Sequence, residues 1–330
     1  MRYRSLLVSA SVAALLFSSC NSAMQNMQNF RGVTQFNRQS TVRNTDWFAG
    51  LSPQLQQYYA PARGKTGRDL MLALHQIVAQ GHWSPSYQES KSFLYSTADN
   101  NVFNNKPGLF DCYSWVHIPG TGGNGNIYVE QGDVNADRTP NDFINAEHTW
   151  PQSFFKEQMP MVADMHHIFP SLSKPNAMRS NYPIGMVEGT VVYTTNGGAK
   201  LSAFDKTGRH RPEEAVQWFN LPWEKQPHDI IKNDYKVTFE PPDRQKGNTA
   251  RALLYFYLRY YDQNIRQGAY NEIDFWDSKV PTYIQWAAQD APDELELKRH
   301  QLVAERQRNR NPFVDIPNLA QLIGAEAFIK

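Results

Sequence analysis

The chain has 330 residues, of which 41% are hydrophobic and 13% aromatic, so it can build a sizeable core and global disorder is excluded. A formal net charge of +1 excludes a protein that coats polyanions through its overall charge; any such binding must come from a local patch. Two cysteines, Cys20 and Cys112, exclude a disulfide-dense scaffold.

Residues 1–20 read as an export signal. Arg2 and Arg4 precede an apolar run from Leu6 to Phe17 that is too short to span a bilayer comfortably. The run ends at Phe17-Ser18-Ser19-Cys20, which fits acylation of Cys20 and a lipid anchor; cleavage by an ordinary signal peptidase nearby is the alternative. Either way the protein is exported, as a periplasmic, outer-membrane-anchored or extracellular form. Cys112 is then left without a partner and is expected to be a buried thiol. Residues 21–45, rich in Asn, Gln and Ser, read as a flexible tether. No linker divides residues 46–330, so one mixed domain is expected, monomeric and of the α+β class.

Leu70, Ala73, Leu74, Ile77 and Val78 recur at helical spacing, and Gly81 fits the stop. Tyr113 to Ile118 and Asn126 to Glu130 are predicted as strands around a glycine-rich hairpin, with a further strand over 142–147. Val187 to Thr195 alternates, is β-branched and runs into Asn196-Gly197-Gly198, a turn signal. Asn248 to Tyr261 is a predicted helix capped by Asn248, and Asp293 to Gln307 is another, entered from Pro292. Two motifs mislead. Gly64-Lys65-Thr66 lacks the earlier glycine of a phosphate-binding loop, because Tyr59 stands there. Gly120, Gly122 and Gly125 match a dinucleotide-binding spacing but lead into a strand-like run instead of a helix.

The chemistry-bearing residues cluster between 145 and 181. Glu147 and His148 are adjacent; Asp164, His166 and His167 follow; Asn176 and Arg179 come next. Phosphodiester hydrolysis needs a base for the attacking water and positive charge for the transition state and the departing oxygen. A histidine with an ordinary pKa of about 6.5 can accept the proton. A hard divalent cation prefers oxygen donors, such as a glutamate carboxylate and an asparagine carbonyl. On an extended strand Glu147 and His148 point to opposite faces, so one site requires a bulge, a strand end or an edge. Pro170 to Ser173 is turn-like, and Pro175 suits the first turn of a helix presenting Asn176 and Arg179 on one face. A hairpin followed by that helix would return Asn176 to Glu147. Arg179 would meet a phosphate or brace an acid, and Asp164 would orient a histidine or tie down the hairpin. The adjacent pair His166 and His167 raises a zinc alternative. Lys298, Arg299, His300, Arg306, Arg308 and Arg310 form a basic cluster that either holds a polyanion or is a solvated helix face.

The runs Glu147-His-Thr-Trp-Pro-Gln-Ser153, Asp164-Met-His-His-Ile-Phe-Pro170 and Asn176-Ala-Met-Arg-Ser-Asn181 resemble the bacterial endonuclease I family. Phe239-Glu-Pro-Pro-Asp243, leading through Lys246 and Gly247 to Ala250-Arg-Ala252, and Asn309-Arg-Asn-Pro-Phe-Val-Asp315 extend the likeness, which covers about Leu70 to Pro317. The resemblance implies a ββα-metal (His-Me finger) element and an endonuclease that cuts DNA, and RNA as a further substrate, with little sequence preference, leaving 5′-phosphate ends. It implies His148 as the general base, with Glu147 and Asn176 as ligands of Mg²⁺, for which Mn²⁺ or Ca²⁺ could substitute. Arg179 is carried over as a phosphate-contacting residue and His167 as a supporting one, although relatives often carry Asn at the position of His167. Some relatives place an arginine between the first two motifs, where this chain offers only Lys156 between Trp150 and Asp164. Rival readings are a surface lipoprotein that binds nucleic acid or polysaccharide without cutting, and a zinc hydrolase of another substrate.

Overall fold

A computed structural model describes residues 46–130, 142–267 and 273–329. The signal segment, Cys20 and the 21–45 tether lie outside the described residues. Residues from Asp46 onward form one compact unit. Among the described residues, no helix is long and apolar enough to cross a membrane.

The first three helices are α1 (Pro53–Tyr59), α2 (Gly67–Ala79) and α3 (Tyr87–Phe93). Helix α2 buries Leu70, Ala73, Leu74, Ile77 and Val78, and the chain leaves it through Gly81 at φ 73°. That left-handed backbone is open to glycine without steric cost. Helix α3 starts in a capping box: Glu89 N–H donates to the Ser86 hydroxyl, and Ser86 N–H donates to the Glu89 carboxylate.

A meander of β1 (Asn101–Phe103), β2 (Lys106–Phe110) and β3 (His117–Pro119) follows. Asn104 and Asn105, both at positive φ, make the two-residue turn between β1 and β2. The strand predicted from Tyr113 to Ile118 shrinks to its last part. Residues 112–114 are a turn held by the Asp111 carboxylate, which accepts from Ser114 N–H, and Trp115 sits at φ 59°. Asn126 to Glu130 supplies only an isolated bridge between Val129 and Phe143.

The central hairpin pairs β4 (Asn145–His148) with β5 (Ile168–Ser171) antiparallel, and α4 (Ser173–Arg179) leaves directly from it. Pro170 and Ser171, expected in a turn, are the end of β5. A third antiparallel sheet joins β6 (Thr190–Thr194), β7 (Lys200–Asp205) and β8 (Tyr235–Glu240), with α5 (Pro212–Phe219) and α6 (His228–Asp234) between the last two strands.

Helix α7 (Asp243–Tyr260) is the axis of the larger core. From Thr249 to Leu258 it is buried on every side, as a helix enclosed by other elements must be. It begins at Asp243, five residues before Asn248, so Asn248 is not its cap; its side chain accepts from Arg251 one turn on. Gly247 lets α7 meet the end of α8 (Val280–Gln289), because a Cβ there would lie 2.3 Å from the Asp290 carbonyl. Helix α9 (Glu294–Gln307) is capped by Asp293, whose carboxylate accepts from Glu296 N–H. Mixed helices with small antiparallel sheets make this an α+β protein, as expected.

Candidate active site at the β4–β5 hairpin

Glu147 and His148 are the last two residues of β4, opposite Phe169 and Ile168 in an unbroken register. Strand alternation sends their side chains to opposite faces. Glu147 is 2% exposed, and its Oε1 accepts from the Tyr113 hydroxyl at 2.7 Å. Arg179 Nε lies 3.4 Å from the same oxygen. Burial pushes the Glu147 carboxyl up from its ordinary value, against the lowering effect of Arg179 and Tyr113.

His148 is 5% exposed, so the ring is enclosed; of the bulge, strand end or edge that the sequence left open, the pair stands at a strand end. The enclosure comes from the long β4–β5 connection, which folds back in short turns and places successive carbonyls over two histidines. His148 Nε2 donates to the Val162 carbonyl at 3.0 Å, and His167 Nε2 donates to the Met161 carbonyl at 2.8 Å. A carbonyl only accepts, so the nitrogen that bonds Val162 carries a proton in that bond; the Ala146 carbonyl is a second acceptor for the same ring. Tyr87 of α3 packs on this ring at 5.5 Å between centroids, and His167 at 5.2 Å. Burial first, then the His167 ring, takes the His148 pKa down to about 3, while the Val162 and Ala146 carbonyls favour the protonated ring. His148 is therefore neutral at pH 7, and it does not keep the ordinary histidine pKa that the sequence reading assumed.

Helix α4 closes over β4 and positions Arg179, whose guanidinium is buried. It donates to the carbonyls of His148 (3.4 Å), Thr149 (2.6 Å) and Ser180 (3.0 Å). These bonds to main-chain oxygens, with the Glu147 contact, are a brace on the end of β4. Asn176 lies one helical turn earlier on the face that carries Arg179, and its side chain is half-buried. His167 is fully buried against Phe256 (4.4 Å) and His148.

Asp164 ties the hairpin down. One carboxylate oxygen accepts from the Tyr255 and Tyr260 hydroxyls, both at 2.8 Å, and the other from Gln307 Nε2 (2.8 Å) and His166 N–H (3.1 Å). Burial raises its pKa, but His82, His166, His167 and Gln307 together hold it well below the usual range. His166 Nε2 is engaged by the Asn309 carbonyl at 3.2 Å. Both members of the His166–His167 pair thus spend Nε2 on backbone oxygens. Among the described residues, no three of His, Cys, Asp and Glu converge on a common point. Cys112 is the buried free thiol expected of it.

The basic cluster divides. Arg299 is internal, donating to Asp99 at 2.7 Å and to the Met165 and Ile168 carbonyls at the root of β5. His300 and Arg310 pair with Asp315, and Lys298 bonds Asn100 and Asn101. Arg306 and Arg308 lie over Trp83, and Arg306 also over Phe93. Tyr113, Tyr87 and the Val162 carbonyl carried no sequence signal. Tyr113 is 34 positions before its partner, and a carbonyl is common to every residue.

A buried carboxylate and a neutral histidine at one strand end, braced by a helix, mark a candidate hydrolase-type site. The family model for Endonuclease I matches residues 66–214 and 225–318, and the chain belongs to that family. It is also similar to an extracellular ribonuclease of Bacillus subtilis (strain 168), with 27% identity over 275 residues, 81% of this chain and 77% of the relative. A second extracellular ribonuclease, from Bacillus amyloliquefaciens, is 27% identical over 281 residues, 82% of this chain and 79% of that protein.

Proposed function

We propose that this protein is an exported, divalent-metal-dependent endonuclease that hydrolyses phosphodiester bonds of DNA and RNA. The observation that carries the reading is the pair at the end of β4: a buried Glu147 carboxylate held by Tyr113, next in sequence to a His148 ring held by the Val162 carbonyl. Family membership supports nuclease chemistry, and the names of the two relatives support RNA as a substrate and export.

The antiparallel β4–β5 pair followed directly by α4 supports reading this unit as a ββα-metal element. Its donors fit a hard cation. A carboxylate and an amide carbonyl offer oxygen, and the two histidines that would suit zinc are turned to backbone carbonyls. In this reading Glu147 and Asn176 hold Mg²⁺, or Mn²⁺ or Ca²⁺ in its place. When bound, the cation supplies positive charge for the transition state and the departing oxygen.

In this reading His148 takes the proton of the attacking water on Nδ1, and the Val162 carbonyl on Nε2 then stabilises the imidazolium. Arg179 holds the end of β4 and offsets the charge of Glu147; its bonds to three carbonyls support a bracing role over direct phosphate contact. His167 positions His148 by ring contact. The test is incubation of purified protein with plasmid DNA and with single-stranded RNA, with Mg²⁺ and with EDTA. Metal-dependent cutting with 5′-phosphate ends is expected. Binding without cutting would favour the surface-lipoprotein alternative, and activity restored by Zn²⁺ alone would favour the zinc hydrolase.

A further inference from the structure

The outer face of the β1–β2–β3 sheet carries rings where an exposed sheet face ordinarily carries polar side chains. Alternation turns Leu109 and Ile118 into the core and Phe110 and His117 outward, with Phe110 opposite His117 and Phe103 opposite Lys106. Centroid separations are 5.6 Å for Phe103–Phe110, 5.4 Å for Phe103–His117 and 5.0 Å for Phe110–His117. Trp115 stacks on Phe110 at 5.3 Å and 19°, and the Arg244 guanidinium lies 4.5 Å over Trp115. Gly108 clears the space, since a Cβ there would come within 2.7 Å of the His117 ring.

Trp115 stacks on Phe110 from a left-handed backbone, at φ 59°. That conformation is costly for a bulky side chain and persists where surrounding bonds over-determine it. Asp111 supplies them: its carbonyl accepts from Trp115 N–H at 2.9 Å, and its carboxylate accepts from Ser114 and Leu172 N–H groups. The same loop reaches the candidate active site. Cys112 N–H donates to the Pro170 carbonyl of β5 at 3.0 Å, and Tyr113 bonds Glu147. The solvent-facing end of the loop is therefore aromatic and cationic, and its inner end touches the proposed metal ligand.

We propose that this face is a stacking platform for the bases of an unpaired nucleic-acid strand whose backbone continues to Glu147 and His148. The proposal rests on the nuclease reading for the direction of that strand. Phe103 is 45% exposed, and Arg244 and Lys106 are exposed cations without a carboxylate partner among the described residues. Rings and a guanidinium plane accept any base by stacking, and the cations attract the phosphates between bases. A duplex buries its base faces within its own stack and cannot use the platform, so the preferred substrate is single-stranded.

The experiment measures fluorescence anisotropy of labelled 12-mers, unpaired and duplex, DNA and RNA, with His148→Ala protein in EDTA. Unpaired strands should bind about 10-fold or more tighter than duplex, and Phe103→Ser with Arg244→Gln should remove about 10-fold of that affinity and leave duplex binding unchanged. Both positions face solvent, so the fold should survive, which circular dichroism checks; Lys106→Gln is the second variant and should flatten the salt dependence. Equal affinity for unpaired and duplex strands, or platform variants that bind as the parent does, overturns the platform. The outcomes separate from the nuclease reading. In the wild-type background, platform variants that cut and bind normally sink the platform alone. A wild-type protein that grips unpaired strands and cuts nothing with any of the three metals leaves the platform and ends the nuclease.

Discussion

Arg179 Nε and Glu147 Oε1 meet 3.4 Å apart inside the protein, both nearly sealed from solvent. Removing one member of such a pair strands the other, which costs far more than the pair contributes in net stability. Arg179→Met should therefore destabilise the fold by about 3–5 kcal/mol in urea denaturation. A loss within about 0.5 kcal/mol, the range of a neutral surface change, would mean that the guanidinium does not brace β4.

Tyr113→Phe removes one hydroxyl from Glu147 and leaves the ring against Phe239. The lost bond should cost about 1–2 kcal/mol of stability. As an outer partner of a proposed ligand, Tyr113 should also matter to the metal, with affinity falling about 10- to 100-fold in calorimetric titration with Mn²⁺. A stability loss with unchanged metal affinity would separate Tyr113 from the metal.

Asn176→Ala should act in the opposite sense. The side chain is half-buried on an exposed helix flank, so the unfolding midpoint should hardly move while metal affinity drops at least about 10-fold. An unaltered titration would remove Asn176 from the ligand set.

Burial takes His166 down to about 3 and His167 to about 4, in each case against Asp164, which pulls upward. Unfolded histidine titrates near about 6.5. Between these values the unfolded chain binds more protons than the folded one. The stability contribution is thus present above the unfolded pKa and is lost as pH falls toward the folded values. Each ring can contribute up to about 1.4 kcal/mol per pH unit within that window. The raised carboxyl of Glu147 works the other way as pH rises through its own titration, so the net slope should be smaller. Urea midpoints at pH 7.5, 6 and 5 should fall progressively; a flat profile would contradict the burial of neutral histidines.

Much of the helical frame was legible because periodicity and punctuation agree in α2 and α9: a run of apolar positions, then Gly81 at positive φ, or Asp293 as a cap. The β1–β2 hairpin was not read, although Asn104-Asn105 holds both left-handed residues of its turn. The strand expected over 113–118 failed because a buried Asp111 carboxylate captures the loop backbone, and β-rich composition cannot report that. Asn248 misled for a related reason: a capping residue inside a helix looks the same in sequence as one at its end, and here the helix starts earlier, with Pro242 at the N-cap position and Asp243 in its first turn. Within the site, the structure brings Arg179 to Glu147 and sets His167 against His148. The carbonyls of Val162 and Met161 that orient both rings belong to the backbone and depend on how the connecting loop folds.

The most direct measurement is cleavage by His148→Ala under single-turnover conditions, alongside Mn²⁺ titration and thermal unfolding of the same protein. The base assigned to Nδ1 requires a rate loss of at least about 10²-fold, with metal affinity and fold retained. A variant that keeps cutting within a few-fold of the parent would place the proton acceptor elsewhere and contradict the account.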